Sequence, residues 1–366
     1  SGTGSDYATI KYNSAGVEQW VQRYNGPASS GDWPTSLAVD EQGNVYVTGG
    51  AYAGTNTDNA TIKYDSAGNV QWVRTYNNGP ASSYDAAYSL AVDGQGNVYV
   101  TGESYGNPNG TSDYATIKYN SAGVEQWLQR YNGPADGNEQ AYSLAVDIQA
   151  NVYVTGMSYG GGGGGTENDF CTIKYNTDGV EQWVQRYNGS LNACDIAFSI
   201  AIDGQGNVYV TGDTSGPTDD CATIKYNSDG VEQWVQIYNG PANDGDYSRS
   251  IELDGQGNAY VTGWSIVSDT SDDYLTIKYD SAGVEQWIQT YNGPGSGEDH
   301  SWPLAADGQG NVYVTGYSYG GSGTQCDYAT IKYIQETGIQ ERPSEKPENI
   351  LQAYPNPFKT ETGIHY

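Results

Sequence analysis

Three short phrases cycle through the chain in a fixed order, and that cycling constrains the fold more than any single motif does. Ser-Leu-Ala-Val-Asp, with substitutions, ends at Asp40, Asp93, Asp147, Asp203, Asp254 and Asp307. Asn-Val-Tyr-Val-Thr-Gly follows, from Asn44, Asn97, Asn151, Asn207, Asn258 and Asn311. Then come Asp-x-Ala-Thr-Ile-Lys-Tyr and Gly-Val-Glu-Gln-Trp. Each phrase alternates or is rich in β-branched and aromatic residues, with glycine-bearing turns between, so each reads as a strand. A lone four-stranded unit cannot bury both faces, and units repeated at a near-constant period predict the blades of a β-propeller. Composition agrees: 34 Tyr, 9 Trp and 50 Gly against 3 Phe and 1 Met suit short strands and tight turns.

Counting phrases sets the number of blades. The lysine phrase occurs seven times and the inner-strand phrase six. The expected fold is all-β: a six-bladed β-propeller of four-stranded antiparallel blades over residues 1–333, its ring closed by the N- and C-terminal strands. Asp6 to Tyr24 holds only two outer strands, so Val17 to Tyr24 is expected outermost in the blade containing Val312 to Thr315. One third-strand copy, Asp6 to Tyr12 or Asp327 to Tyr333, is then surplus. The sequence leaves open whether it hangs free, is displaced, or pairs with another molecule. Residues 334–350 read as a charged linker and 351–366 as a separate tail.

The turns are legible in detail. Asp40-Glu41-Gln42-Gly43 fits a type I turn closed by a left-handed glycine. Ala150 stands where that glycine belongs, so strain or a different turn is expected there. The asparagines of the Tyr-Asn-Gly turns (Asn25, Asn132, Asn188, Asn239, Asn292) read as left-handed or Asx turn formers. Seven of nine lysines share one strand position: Lys11, Lys63, Lys118, Lys174, Lys225, Lys278 and Lys332. Pairing Tyr12 with Val17 would set Lys11 opposite Glu18, an ion pair between blades under a tryptophan. Lys63 lacks that glutamate, because Val70 stands in its place, and needs another partner.

A net charge of −29 excludes a general phosphate-binding surface and hence nucleic acid as a partner, and makes cations plausible ligands. No apolar run is long enough for a transmembrane segment. Cys171, Cys194, Cys221 and Cys326 do not recur in every repeat and show no metal-ligand spacing; disulfides are compatible with export, but their pairing is unreadable. Eight residues before each inner-strand aspartate stands another acid: Asp32, Asp85, Glu139, Asp195, Asp246 and Asp299. Six carboxylates are expected to circle one mouth of the axial channel. Either each accepts hydrogen bonds in its own turn, or together they form a cation site, with calcium as the cofactor. Tyr105, Tyr159 and Tyr319 lie in loops on the same face, where they would stack on a ligand such as a sugar or cover loop backbone. The run Gly160 to Gly165 lacks the lysine of a phosphate loop.

The unit Asp-x-x-Gly-Asn-Val-Tyr-Val-Thr-Gly, followed by Asp-Tyr-Ala-Thr-Ile-Lys-Tyr, resembles the SBBP family of bacterial β-propeller repeats over nearly all of residues 5 to 333. That resemblance implies a secreted or surface-exposed propeller and carries no catalytic residues. Tyr354-Pro355-Asn356-Pro357-Phe358, then Thr362-Gly363-Ile364-His365-Tyr366, resembles the opening of a type IX secretion C-terminal sorting domain. It implies export across the outer membrane of a Gram-negative bacterium; the match stops after the first strand, as a truncated domain would. The expectation is an exported, non-enzymatic binding or assembly module with a glycan or extracellular protein as partner. Two alternatives stand beside it. One is a self-associating filament subunit that exchanges strands; the other is a carbohydrate-active hydrolase or lyase using acids at the axial mouth. Near-equivalence of the six acids argues against the hydrolase, since acid–base pairs need unequal environments.

Overall fold

Period-two alternation of Val, Tyr, Ile and Thr, broken by glycine turns, makes every helix-or-strand element among the described residues a β-strand. The computed structural model describes residues 4–28, 30–78, 84–106, 110–160, 167–191, 193–268, 271–307, 310–320 and 326–334. The linker and the sorting-domain-like tail, apart from Ile334, lie outside the described residues, as does most of the Gly160 to Gly165 run. Among the described residues no helix is long and apolar enough to cross a membrane.

The strands form seven antiparallel sheets, each in chain order. The first is a hairpin, β1 (Tyr7–Tyr12) and β2 (Glu18–Tyr24). Five four-stranded sheets follow. They are β3 (Trp33–Val39), β4 (Val45–Tyr52), β5 (Thr57–Tyr64) and β6 (Val70–Tyr76); then β7 (Asp85–Val92), β8 (Val98–Tyr105), β9 (Ser112–Tyr119) and β10 (Glu125–Tyr131). The next are β11 (Glu139–Val146), β12 (Val152–Tyr159), β13 (Asn168–Tyr175) and β14 (Glu181–Tyr187); then β15 (Asp195–Ile202), β16 (Val208–Ser215), β17 (Asp219–Tyr226) and β18 (Glu232–Tyr238). The fifth is β19 (Asp246–Leu253), β20 (Ala259–Ser268), β21 (Ser271–Tyr279) and β22 (Glu285–Tyr291). The last sheet has three described strands, β23 (Asp299–Ala306), β24 (Val312–Tyr319) and β25 (Cys326–Tyr333). The chain divides into two compact units, 1–197 and 198–366.

Seven sheets replace the six expected, and the N-terminal strands do not complete the last one. β2 pairs with β1, while the edge of β24 is held by β25, with Val312 opposite Tyr333 and Thr315 opposite Thr330. The reason is local. Asp6 to Tyr12 and Asp327 to Tyr333 are the same heptapeptide, and only one of them can occupy β24. The copy joined to β24 by a short connection closes the smaller loop.

Within each unit, successive sheets are locked by one device. The indole of Trp72 donates to the Ser121 carbonyl in the next sheet's hairpin turn at 3.2 Å, and Lys63 Nζ donates to the same oxygen at 3.2 Å. Trp127 and Lys118 converge likewise on Thr177, Trp234 and Lys225 on Ser281, and Trp20 and Lys11 on Ser66. Lys63, Lys118, Lys174, Lys225, Lys278 and Lys332 each also sit over a tyrosine of their own sheet's second strand, as Lys118 does over Tyr99 at 5.2 Å. The glutamate ion pair is therefore not formed at Lys118. A bulge between Lys11 and Tyr12 sets Lys11 opposite Trp20 and Tyr12 opposite Glu18, and it recurs in the later hairpins. Glu125 is exposed, and Lys63 without a glutamate is bonded as the others are.

The apolar core is shared between sheets. Tyr99 is fully buried against Leu144, Val152 and Val154 of the following sheet, and Tyr260 against Leu304, Val312 and Val314. The Asp-to-Gly turns have the expected left-handed glycine, and Ala150 adopts the same conformation, with φ of 61°. In the Tyr-Asn-Gly loops the left-handed residue is not the asparagine at Asn132, Asn239 or Asn292. It falls four residues later, at Asp136, Asn243 and Ser296.

Candidate functional site

The six acids expected to form a ring are buried, and each is bonded into the turn that enters its own sheet. Asp32 accepts from the Gly26 N–H at 2.6 Å and from the Tyr52 N–H at 2.8 Å. Asp299 accepts from Gly293 and Tyr319 at 2.7 and 3.0 Å, and Asp195 and Asp246 accept from Gly189 and Gly240. Asp85 takes the Asn78 N–H and the Ser104 hydroxyl. Glu139 is bonded to the backbone of Gly133 and Tyr159, yet burial pushes its carboxyl up to about 7. Asp32, Asp85, Glu139 and Asp299 thus tie the incoming loop to the end of their sheet's second strand. Among the described residues, no three His, Cys, Asp or Glu come together as metal ligands. Tyr105, Tyr159 and Tyr319, expected in loops, are half-buried last residues of the strands β8, β12 and β24. Tyr105 meets Tyr84 edge-on at 6.1 Å, and Tyr159 and Tyr319 pack on Gly137 and Gly297.

A different set of residues stands out when the repeats are laid over one another. One residue after each acid stand Trp33, Ala86, Gln140, Ile196, Tyr247 and His300. Three after it stand Thr35, Tyr88, Tyr142, Phe198, Arg249 and Trp302. Directly following Thr-Gly in the second strand come Gly50, Glu103, Met157, Asp213, Trp264 and Tyr317. These positions change chemistry from repeat to repeat while their surroundings recur. The ladder explains why they act together. The first and third of these positions are cross-strand partners: Trp33 with Gly50, Gln140 with Met157, Tyr247 with Trp264 and His300 with Tyr317. The second falls in a bulge, where Tyr88, Tyr142 and Arg249 have no opposite number. Bulges re-aim side chains and are over-represented beside functional sites.

In residues 198–366 these positions form an aromatic and charged platform. The His300 ring lies parallel to Trp264 with centroids 4.1 Å apart, and Arg249 stacks on Trp264 at 4.4 Å and on Phe198 at 4.1 Å. Arg249 pairs with Asp213 at 2.7 Å, although burial pushes the Asp213 carboxyl up to about 6 against the pull of Arg249. His300 Nε2 donates to Asp272 at 2.6 Å, and its Nδ1 lies 2.7 Å from the Tyr317 hydroxyl, so the ring is fixed at both nitrogens. Trp302 adjoins Trp264, His300 and Tyr317 and is 46% exposed. In residues 1–197 the same positions form a network instead: Tyr88 donates to Glu103, Gln140 to Glu103 at 2.6 Å, and Tyr142 to Gln140 at 2.5 Å. Flat rings held by stacking, with polar groups at their edges, suit adsorption of a ligand with an apolar face. Sequence reading missed these positions because it looked for residues that recur. Their signal was departure from the repeat.

A recurring four-stranded antiparallel sheet, with residues of changing chemistry at its bulged first strand and that strand's partner, defines a propeller-repeat protein. Three segments, 19–53, 71–108 and 182–217, match the beta-propeller repeat family SBBP. Each matched segment runs from the last strand of one sheet to the second strand of the next, so the family's unit includes the acid-tied connection. No curated protein matches the chain in sequence. Among solved structures, a protein of unknown function from Bacteroides caccae is similar at 11% identity over 75% of this chain and 86% of that one, with a TM-score of 0.45. One of unknown function from Dyadobacter fermentans has 10% identity over 85% and 97%, at 0.49. A calcium-binding protein, regucalcin from Agrobacterium tumefaciens, has 11% identity over 78% and 82%, at 0.42. Likeness at this level transfers no activity.

Proposed function

We propose that the chain is an exported, non-enzymatic binding module whose ligand rests on the repeat-variable positions, centred on Trp264, His300 and Trp302. One observation carries this reading: the bulged position of the first strand and the cross-strand pair beside it change chemistry from unit to unit within a recurring ladder, and Trp302 remains exposed there. The ligand class is a glycan or an extracellular protein presenting a sugar-like or aromatic face. The acids serve the scaffold in this reading. Export rests on the resemblance of the tail to a sorting domain, and a Gram-negative cell surface is the location it implies. A glycan array read with calcium and again with chelator tests the whole. Binding in both conditions, lost in Trp302→Ala with an unchanged melting midpoint, is the expected result. Binding that survives Trp302→Ala, or product release from any glycan, would overturn it.

A further inference from the structure

The two ends of the repeat array carry complementary halves of a sheet. β1 occupies the third-strand position, but among the described strands it pairs only with β2, so its inner edge lacks the second strand that β5, β9, β13, β17 and β21 all have. Ile10 is consequently 45% exposed, whereas its counterparts Ile62, Ile117, Ile173 and Ile224 are fully buried. β3 is bare in the same way: Leu37 is 55% exposed, and its counterparts Leu90 and Leu144 are 7%. At the other end, Tyr313 on β24 is 37% exposed, whereas Tyr46, Tyr99, Tyr153, Tyr209 and Tyr260 are fully buried. β25 has a second strand but no described fourth strand, and Tyr328 is 77% exposed against 1% for Tyr114.

The interior interfaces show what covers such faces. Tyr99 is covered by the Leu144, Val152 and Val154 of the following sheet, so Tyr313 calls for a sheet presenting Leu37, Val45 and Val47. Leu37 in turn calls for a preceding sheet whose first and second strands are those of β23 and β24. Each end is what the other lacks. The strand that joins them is already specified, because Asp6 to Tyr12 repeats the heptapeptide of Asp327 to Tyr333 residue for residue. It can therefore take the register of β25 on β24, with Thr9 opposite Thr315 and Lys11 opposite Tyr313. That exchange gives up no strand pairing, and it brings β2 along as the missing fourth strand.

We infer that the chain assembles head to tail with a second copy of itself. The β1–β2 hairpin of one copy displaces β25 of the next and completes the sheet begun by β23 and β24. The contact is heterologous, so it propagates unless its rotation closes. The lock of the interior forms again at the junction, with Tyr313 beneath Lys11 and Ile10 buried. This inference concerns the ends of the array and does not depend on the ligand platform.

Light scattering of the intact chain at physiological salt tests it across a wide concentration range, with two opposed substitutions. Ile10→Lys places a charge on the invading strand at a position already half-exposed in the free chain. It should hold the protein at one chain mass with its melting midpoint unchanged. Ile331→Lys weakens the strand that now occupies β24, and should move assembly to lower concentration. Two differently tagged batches of the wild type should co-purify after mixing. A wild type that stays at one chain mass throughout would overturn the inference. So would assembly that survives Ile10→Lys, or hydrogen exchange showing the Ile10 amide protected in a strictly monomeric chain.

Discussion

In the hairpin turns at Ser66, Ser121, Thr177 and Ser281 a carbonyl oxygen receives two donors from the preceding sheet, an indole N–H and a lysine ammonium. At Thr177 these are Trp127 at 3.1 Å and Lys118 at 3.0 Å. The ammonium is also held over the Tyr99 ring, so its charge is met by a dipole and a π-face in place of a carboxylate. Lys118→Met keeps the buried stem and removes the charge, leaving the indole bond in place. The expected cost is about 1–2 kcal/mol, from one charge-assisted hydrogen bond and one cation–π contact. Glu125→Gln, on the exposed side of the same hairpin, should leave the denaturation midpoint within about 0.5 kcal/mol. Equal losses from both substitutions would restore the ion pair and remove this account. The burial of the lysine was legible in its recurrence beside tryptophan. Its partner was not, because a bulge between lysine and tyrosine shifts the facing residue and leaves no mark in a period-two pattern.

At the scale of the element, the hairpin-turn glycines Gly68, Gly123, Gly179 and Gly283 meet two demands. Gly123 has φ of 76°, and a Cβ there would lie 2.8 Å from the Trp72 ring of the preceding sheet. Gly123→Ala therefore adds backbone strain and also displaces the indole that locks the two sheets. A loss of about 2–4 kcal/mol is expected in chemical denaturation, most of it from the shifted indole. The aspartate turns make only the first demand, and one of them already contains the wrong residue. Ala150 sits at φ of 61°, so Ala150→Gly should stabilise by up to about 1 kcal/mol, relief of strain exceeding the added freedom of the unfolded chain. If Gly123→Ala costs no more than Ala150→Gly returns, the contact with Trp72 carries no weight. Strands and turns were readable here because the alternation, the glycines and the aspartates recur in phase. The variable platform was not, since Tyr247, Arg249, His300 and Trp302 break the repeat and a reading by recurrence passes over them.

For the whole molecule, the number of inner strands was legible and the way the ends are used was not. Residues 6–12 and 327–333 are the same sequence, and no pattern can say which of them β24 takes; loop closure decides it. Charge acts at the same scale and sets the dependence on pH. A net charge of −29 means that folding concentrates carboxylates, and some lose water in the process. Burial raises Glu139 to about 7, and it raises Asp85 and Asp246 as well. A carboxyl whose folded pKa lies above its unfolded value favours the folded state while protonated. Its contribution is complete below the ordinary carboxyl range of about 4 and is lost as the pH rises through the folded value. Stability should therefore fall as the pH is raised from about 5 to 8, with mutual repulsion of the acidic coat acting in the same direction. The opposite trend belongs to the turn aspartates. Burial pushes Asp93 and Asp254 up, but hydrogen bonds from Asn97 and Asn258 outweigh it and hold both below the ordinary range. Their contribution is present above about pH 4 and is lost as the pH falls through their folded values, which returns instability at strong acid. The expected profile has its maximum on the acidic side of neutrality. Glu139→Gln keeps the shape of the side chain and removes its titration. Melting midpoints taken from pH 5 to 8 should decline less steeply in the variant, which should be the more stable of the two at pH 8. If wild type and variant decline in parallel, the fall belongs to the acidic coat, and Glu139 enters the folded state charged at no cost.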